Sequence, residues 1–109
     1  MISFTDPIVF MPRGTSTVAA AGATGSATLA SPGVGTNVMV FNAGPDLAFV
    51  KLGPAGTTVA LPNATGSGGT PVPVGFYGLT LARDANVDTT AAAISLGNSA
   101  VYFTVGSGT

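Results

Sequence analysis

The chain has 109 residues, a formal net charge of −1, 6% charged residues, and no histidine, cysteine or tryptophan. Glutamate is also missing, so Asp6, Asp46, Asp84 and Asp88 are the only acidic side chains and Arg13, Lys51 and Arg83 the only basic ones. These gaps nearly remove the usual proton shuttles, activated nucleophiles and multi-ligand metal sites, and three scattered cations do not build the positive surface that nucleic acid or an anionic membrane demands.

A freely dispersed domain carries about 25% charged residues to keep its surface hydrated and its neighbours apart. A chain that gives this up is expected to be a structural subunit, covered by copies of itself or by partners. The length suits one domain. Sixteen glycines and eight prolines describe short strands and tight turns. Mean hydropathy is +0.56, yet every apolar run is interrupted well short of the roughly 20 residues of a spanning helix. The N-terminus lacks the basic and long apolar regions of a signal peptide. A small outer-membrane barrel fits poorly, because the alternating strands of about ten residues and the aromatic girdles are not there.

Residues 1–14 combine Ile2, Phe4, Ile8, Val9, Phe10 and Met11 with Pro7 and Pro12. The prolines oppose a helix and interrupt a central strand, so an extended N-terminal arm is expected, packed on its own domain or on a neighbour. Residues 15–109 then form the sandwich domain. Thr15–Ala20 and Ser26–Ala30 are expected as short strands around a turn at Gly22–Gly25, followed by loop punctuation at Ser31–Gly35. Asn37–Asn42 is a dense apolar run suited to a strand buried on both faces. Asn42–Asp46 is turn chemistry, and Ala48–Gly53 follows as a second strand, giving an expected antiparallel hairpin. Alternation puts Ala48, Val50 and Leu52 toward the core and Phe49 and Lys51 on the opposite face.

After the turn at Gly53–Gly56, Thr57–Leu61 is expected as a strand with Thr57, Val59 and Leu61 on one face. Asn63–Thr70 reads as a flexible loop. Pro71–Gly75 is confined to an edge strand or extended loop by its two prolines. Phe76–Ala82 reads as a strand with Tyr77, Leu79 and Leu81 together, and Asp84–Thr90 as a turn. Ala91–Leu96 has helical propensity but is too short to stand alone as a helix; strand-rich surroundings favour a strand. In Ala100–Val105 the alternation is clearest, with Val101, Phe103 and Val105 facing one way and Tyr102 and Thr104 the other. Gly106–Thr109 is expected as a frayed tail. Eight or nine strands at roughly ten-residue intervals predict an all-β fold, a single antiparallel sandwich.

Motifs of chemistry are weak throughout. Asp84–Asp88 (DANVD) opens like an EF-hand loop, but Thr89 stands where glycine is needed and Ser95 where a bidentate glutamate is needed; a solvated turn is expected, with a weak calcium site shared between subunits as the alternative. Gly66–Gly69 lacks the lysine of a P-loop. Asn63–Thr65 matches a glycosylation sequon, which matters only in a eukaryotic secretory pathway. No serine has a histidine to activate it or a nucleophile-elbow context, so no catalysis and no cofactor are expected. Tyr77 and Tyr102 suit sugar stacking in principle, but core and interface roles fit them better.

From residue 37 onward the order of elements carries a resemblance: Val38–Gly44 (VMVFNAG), Ala48–Gly53 (AFVKLG), Val72–Gly75 (VPVG) and Ala100–Gly108 (AVYFTVGSG). It resembles the capsid decoration, or cement, proteins of tailed bacteriophages, which have jelly-roll folds. The resemblance implies a virion protein on the capsid exterior, bound to the major capsid protein and to copies of itself as a dimer or trimer. The expected contact residues are Ile2, Phe4, Ile8 and Phe10 of the arm and the outward Phe49, Lys51 and Tyr102. The alternative is a glycan- or receptor-binding module of a tail fibre, baseplate or adhesin.

Overall fold

The computed structural model describes residues 11–29, 37–66, 68–75, 79–84 and 86–107. They form eight strands: β1 Met11–Ala20, β2 Gly25–Thr28, β3 Asn37–Pro45, β4 Ala48–Gly53, β5 Thr70–Val72, β6 Leu79–Ala82, β7 Thr90–Ser95 and β8 Ser99–Ser107. Antiparallel ladders join β1 to β8, β2 to β7, β3 to β6 and β4 to β5. The chain is thus one long hairpin doubled back at the β4–β5 connection. Further pairing of β8 with β3 and of β7 with β4 rolls it into two four-stranded sheets, β1-β8-β3-β6 and β2-β7-β4-β5. This order is jelly-roll-like, and the expected all-β antiparallel sandwich is what the chain forms.

The core lies between the sheets, where alternation sends one set of side chains from each strand. Val18, Val38, Val40, Val101, Phe103 and Val105 enter it from the first sheet, and Ala48, Val50, Val72, Ala91 and Ala93 from the second. All six residues of β7 are buried. The Ala91–Leu96 run therefore forms a strand through residue 95. Its alanines fit because both faces are covered and there is little room for larger groups.

Local expectations fail where pairing is decided at a distance. β3 and β4 do not form a hairpin: β3 pairs with β8 and β6, β4 with β7 and β5, and the Asp46–Leu47 link crosses between sheets. Turn residues mark a reversal, but the partners available to each edge decide whether that reversal stays within a sheet. Gly44 makes the corner with φ of 89°, a conformation that L side chains rarely adopt. β3 is not buried on both faces; its residues alternate between buried and half-buried or exposed.

Thr57–Leu61 lies outside any ladder strand. The expected frayed tail is part of β8 through Ser107, because Gly106 has partners on both sides, Pro12 and Asn37. β1 begins at Met11, within the stretch read as arm. Residues 1–10, with the expected contacts Ile2, Phe4, Ile8 and Phe10, lie outside the described residues, as does Tyr77. The proline-bearing β5 is an edge strand, as its composition requires.

Candidate interaction surfaces

Tyr102 sits on the outer face of the first sheet, 38% exposed. In register it faces Thr17 of β1 on one side and Phe41 of β3 on the other. Thr15 and Met39 flank Thr104 in the same way, with the Thr15 and Thr104 hydroxyls 2.9 Å apart in a hydrogen bond. Thr80 and Ala82 continue the face onto β6, opposite Met39 and Asn37. From Thr15 through Ala19, and across the outward positions of β3, β6 and β8, this face carries no carboxylate, lysine or arginine. No segment among the described residues is packed across it as Thr57–Leu61 is across the other sheet.

The outer face of the second sheet is different. Phe49 points outward, as alternation requires, but is only 8% exposed and packs with Val59, Ala92, Ile94 and Leu61 in a second apolar cluster. Thr57–Leu61 is laid over the sheet, held by the Val59 N–H donating to Thr24 Oγ1 at 3.2 Å and the Gly69 N–H donating to the Ala60 carbonyl at 2.9 Å. The expectation that Phe49 is an exposed contact is therefore corrected: the chain's own loop covers it. Lys51, exposed, shares that strand. Lys51 and Tyr102 thus lie on different sheets and do not form one patch.

At the end holding the β3–β4 and β7–β8 connections, polar groups knit the sheets together. Asn42, fully buried, donates from Nδ2 to the Asp46 carbonyl at 2.8 Å and the Val72 carbonyl at 2.9 Å, while its Oδ1 accepts from the Gly44 N–H at 2.8 Å. One side chain of the first sheet thereby holds β5 of the second. Ser95 Oγ donates to the Leu47 carbonyl at 2.7 Å, the Asn98 N–H donates to Asp46 Oδ2 at 2.9 Å, and Ser99 Oγ donates to the Asp46 carbonyl. The turn residues are evident in the sequence but their convergence is not, because it joins segments 30 to 53 positions apart. The same end exposes Leu47, Val74 and Leu96, the last at 80%. Leu96 was read as the end of a strand; with both faces of β7 buried, no alternation was available to show that the strand stops at Ser95.

The two sides of the sandwich also differ. On the β1–β2 side, Ser16 Oγ of β1 donates to the Thr28 carbonyl of β2 at 2.7 Å, and the Ser95 N–H donates to the Ala21 carbonyl at 2.9 Å. On the β5–β6 side a cleft of about 510 Å³ is lined by Val50, Lys51 and Leu52 of β4, by Gly66, Gly68, Gly69 and Thr70, and by Leu81, Ala82 and Asp88. Three consecutive residues of one strand can line a single cleft only along its edge. That edge is open because the β5 ladder ends at the Val50–Thr70 pair. Asp88 Oδ2 accepts from the Asp84 N–H at 2.9 Å, and Asp84 Oδ1 accepts from the Asn86 N–H at 3.0 Å. These carboxylates cap their own turn, and no group of three or more potential metal ligands occurs among the described residues.

Comparison of the chain with protein-family models, with curated proteins and with solved structures returns no match.

Proposed function

We propose that this protein is a virion structural subunit, a capsid decoration protein that binds the outer capsid shell through protein–protein contacts with the major capsid protein and with copies of itself. The observation that carries this reading is the outer face of the β1-β8-β3-β6 sheet. It is broad, lacks charged side chains at the outward positions named above, and centres on the Phe41–Tyr102 pair. A protein interface is depleted in charge at its core and enriched in aromatic side chains, and an uncharged face of this composition suits burial against a partner. The resemblance from residue 37 onward, and the shortage of groups for acid–base or nucleophilic chemistry, support the same reading.

The mechanism is mechanical. Burial of apolar area contributes roughly 25 cal/mol per Å² before the cost of association, and symmetric repetition multiplies each contact around the shell. The test has two arms. The mass of the purified chain in solution is measured by sedimentation, and the chain is co-sedimented with shells assembled from the major capsid protein of the same virion. The expected result is an oligomer that pellets with shells, with both properties weakened by Tyr102→Glu. A wild-type chain that stays monomeric and remains in the supernatant overturns the reading.

A further inference from the structure

Beyond that reading, and independently of it, we propose that the seam beside β4 is a binding site for a neutral saccharide of one or two rings, held by Lys51, Thr70 and Asp88. The size is suitable: a cleft of about 510 Å³ lies within the range of roughly 300–1,000 Å³ typical of small-ligand sites. Its chemistry is that of a polyol site. Lys51 is a donor, with no ion pair to another described residue. The Asp88 carboxylate is fixed by the Asp84 N–H at 2.9 Å through Oδ2, which leaves Oδ1 to accept from a ligand hydroxyl. The Thr70 hydroxyl does both. One cation and one anion balance, which favours a ligand without net charge.

The walls add two features. Gly68 and Gly69 bring backbone, without side chains, to the cleft. A Cβ at Gly69 would lie 2.5 Å from Val59 Cγ2 and 3.0 Å from the Val50 carbonyl oxygen, so the loop seats directly on the β4 edge and forms a fixed wall of the cleft. Leu81 supplies an apolar surface for the C–H face of a sugar ring. An extended peptide is the rival occupant, because the β5 ladder along β4 ends at Val50. Only Lys51–Gly53 remain for it to pair with, too few for the ladder from which strand addition draws its affinity. The site lies between the sheets at the β4 and β6 edges and shares only Ala82, at its rim, with the face that carries Tyr102.

The test is a titration of the intact chain, followed by two-dimensional amide NMR, with methyl α-glucopyranoside, methyl β-galactopyranoside and chitobiose as neutral probes. Glycine serves as a zwitterionic probe and a blocked Thr-Val-Thr-Val peptide as a strand probe. The expected result is that at least one saccharide shifts the amides of Lys51, Leu52, Gly68, Gly69 and Ala82, with Kd about 1 mM. Lys51→Ala and Thr70→Val, both at exposed positions, should each weaken that binding about tenfold while the spectrum stays dispersed. The proposal is overturned if no saccharide moves those amides, if binding survives both substitutions unchanged, or if only glycine or only the peptide binds. Its failure leaves the sheet-face reading untouched, since that rests on mass and co-sedimentation.

Discussion

The two outer faces of this sandwich are built from similar strands and have opposite fates. On the β2-β7-β4-β5 sheet, Phe49, Ala92 and Ile94 form an apolar strip that Val59 and Leu61 cover from above. On the β1-β8-β3-β6 sheet, Tyr102 stands 38% exposed beside Thr17 and Thr104, and no loop among the described residues forms an apolar cluster over it like that over Phe49. The more apolar strip has its lid within the same chain. The more mixed face, of threonine, alanine and aromatic residues, is the one we propose meets another molecule. An outward position is therefore not by itself an available one. What crosses above it decides, and alternation along a strand carries no information about that.

Truncation separates the faces most sharply. Phe49→Ala should destabilise the fold by about 3 kcal/mol, because it empties a covered apolar cluster. Tyr102→Ala should change monomer stability by only about 0.5 kcal/mol. Urea unfolding of both variants measures the difference, and equal losses would remove the distinction between covered and bare faces.

The rivet between the sheets comes next. Asn42→Ala deletes three hydrogen bonds and leaves the Val72 and Asp46 carbonyls and the Gly44 N–H to find other partners, with an expected loss of about 2–3 kcal/mol. If the loss is real but arises from β5 detaching, amide exchange should accelerate first at Thr70 and Val72, ahead of β8.

A charge placed on the Tyr102 face should act on association and leave folding nearly intact. Thr17→Glu is expected to weaken self-association at least tenfold, about 1.4 kcal/mol, by sedimentation across a concentration series. The same charge at Ser26, exposed on the other sheet, should leave association unchanged. The smallest expected effect is that of Thr104→Val, which removes the hydroxyl pair with Thr15 and should cost about 0.5 kcal/mol or less in thermal unfolding.

Much of this architecture was legible in the sequence, for reasons that can be named. Val101, Phe103 and Val105 alternate with Tyr102 and Thr104, and a strand with one covered face must show that period. Pro71 and Pro73 excluded a central strand, and β5 is at an edge because a proline cannot donate to a ladder. The strand expected of the Ala91–Leu96 run, against its local propensity, is present through Ser95, since too short a helix gains little from propensity alone. Of the candidate surfaces, Tyr102 and Lys51 were correctly placed outward, but nothing local showed that they belong to different sheets. The Asn42–Asp46 turn chemistry predicts a hairpin where the chain instead crosses between sheets, because such a corner uses the same residues as a turn within one. The cleft beside β4 was invisible, because it depends on where a ladder stops.

The sequence alone determined the material of this protein: an all-β chain with short strands, few charges and no histidine, cysteine or glutamate. Those properties follow from side-chain chemistry and from the period of two, both local. The tertiary structure decided which strands became neighbours, which outward residues were covered and where an edge stayed open. Each of these is a contact between segments distant in the chain, and its free energy belongs to the pair, so neither segment can display it alone.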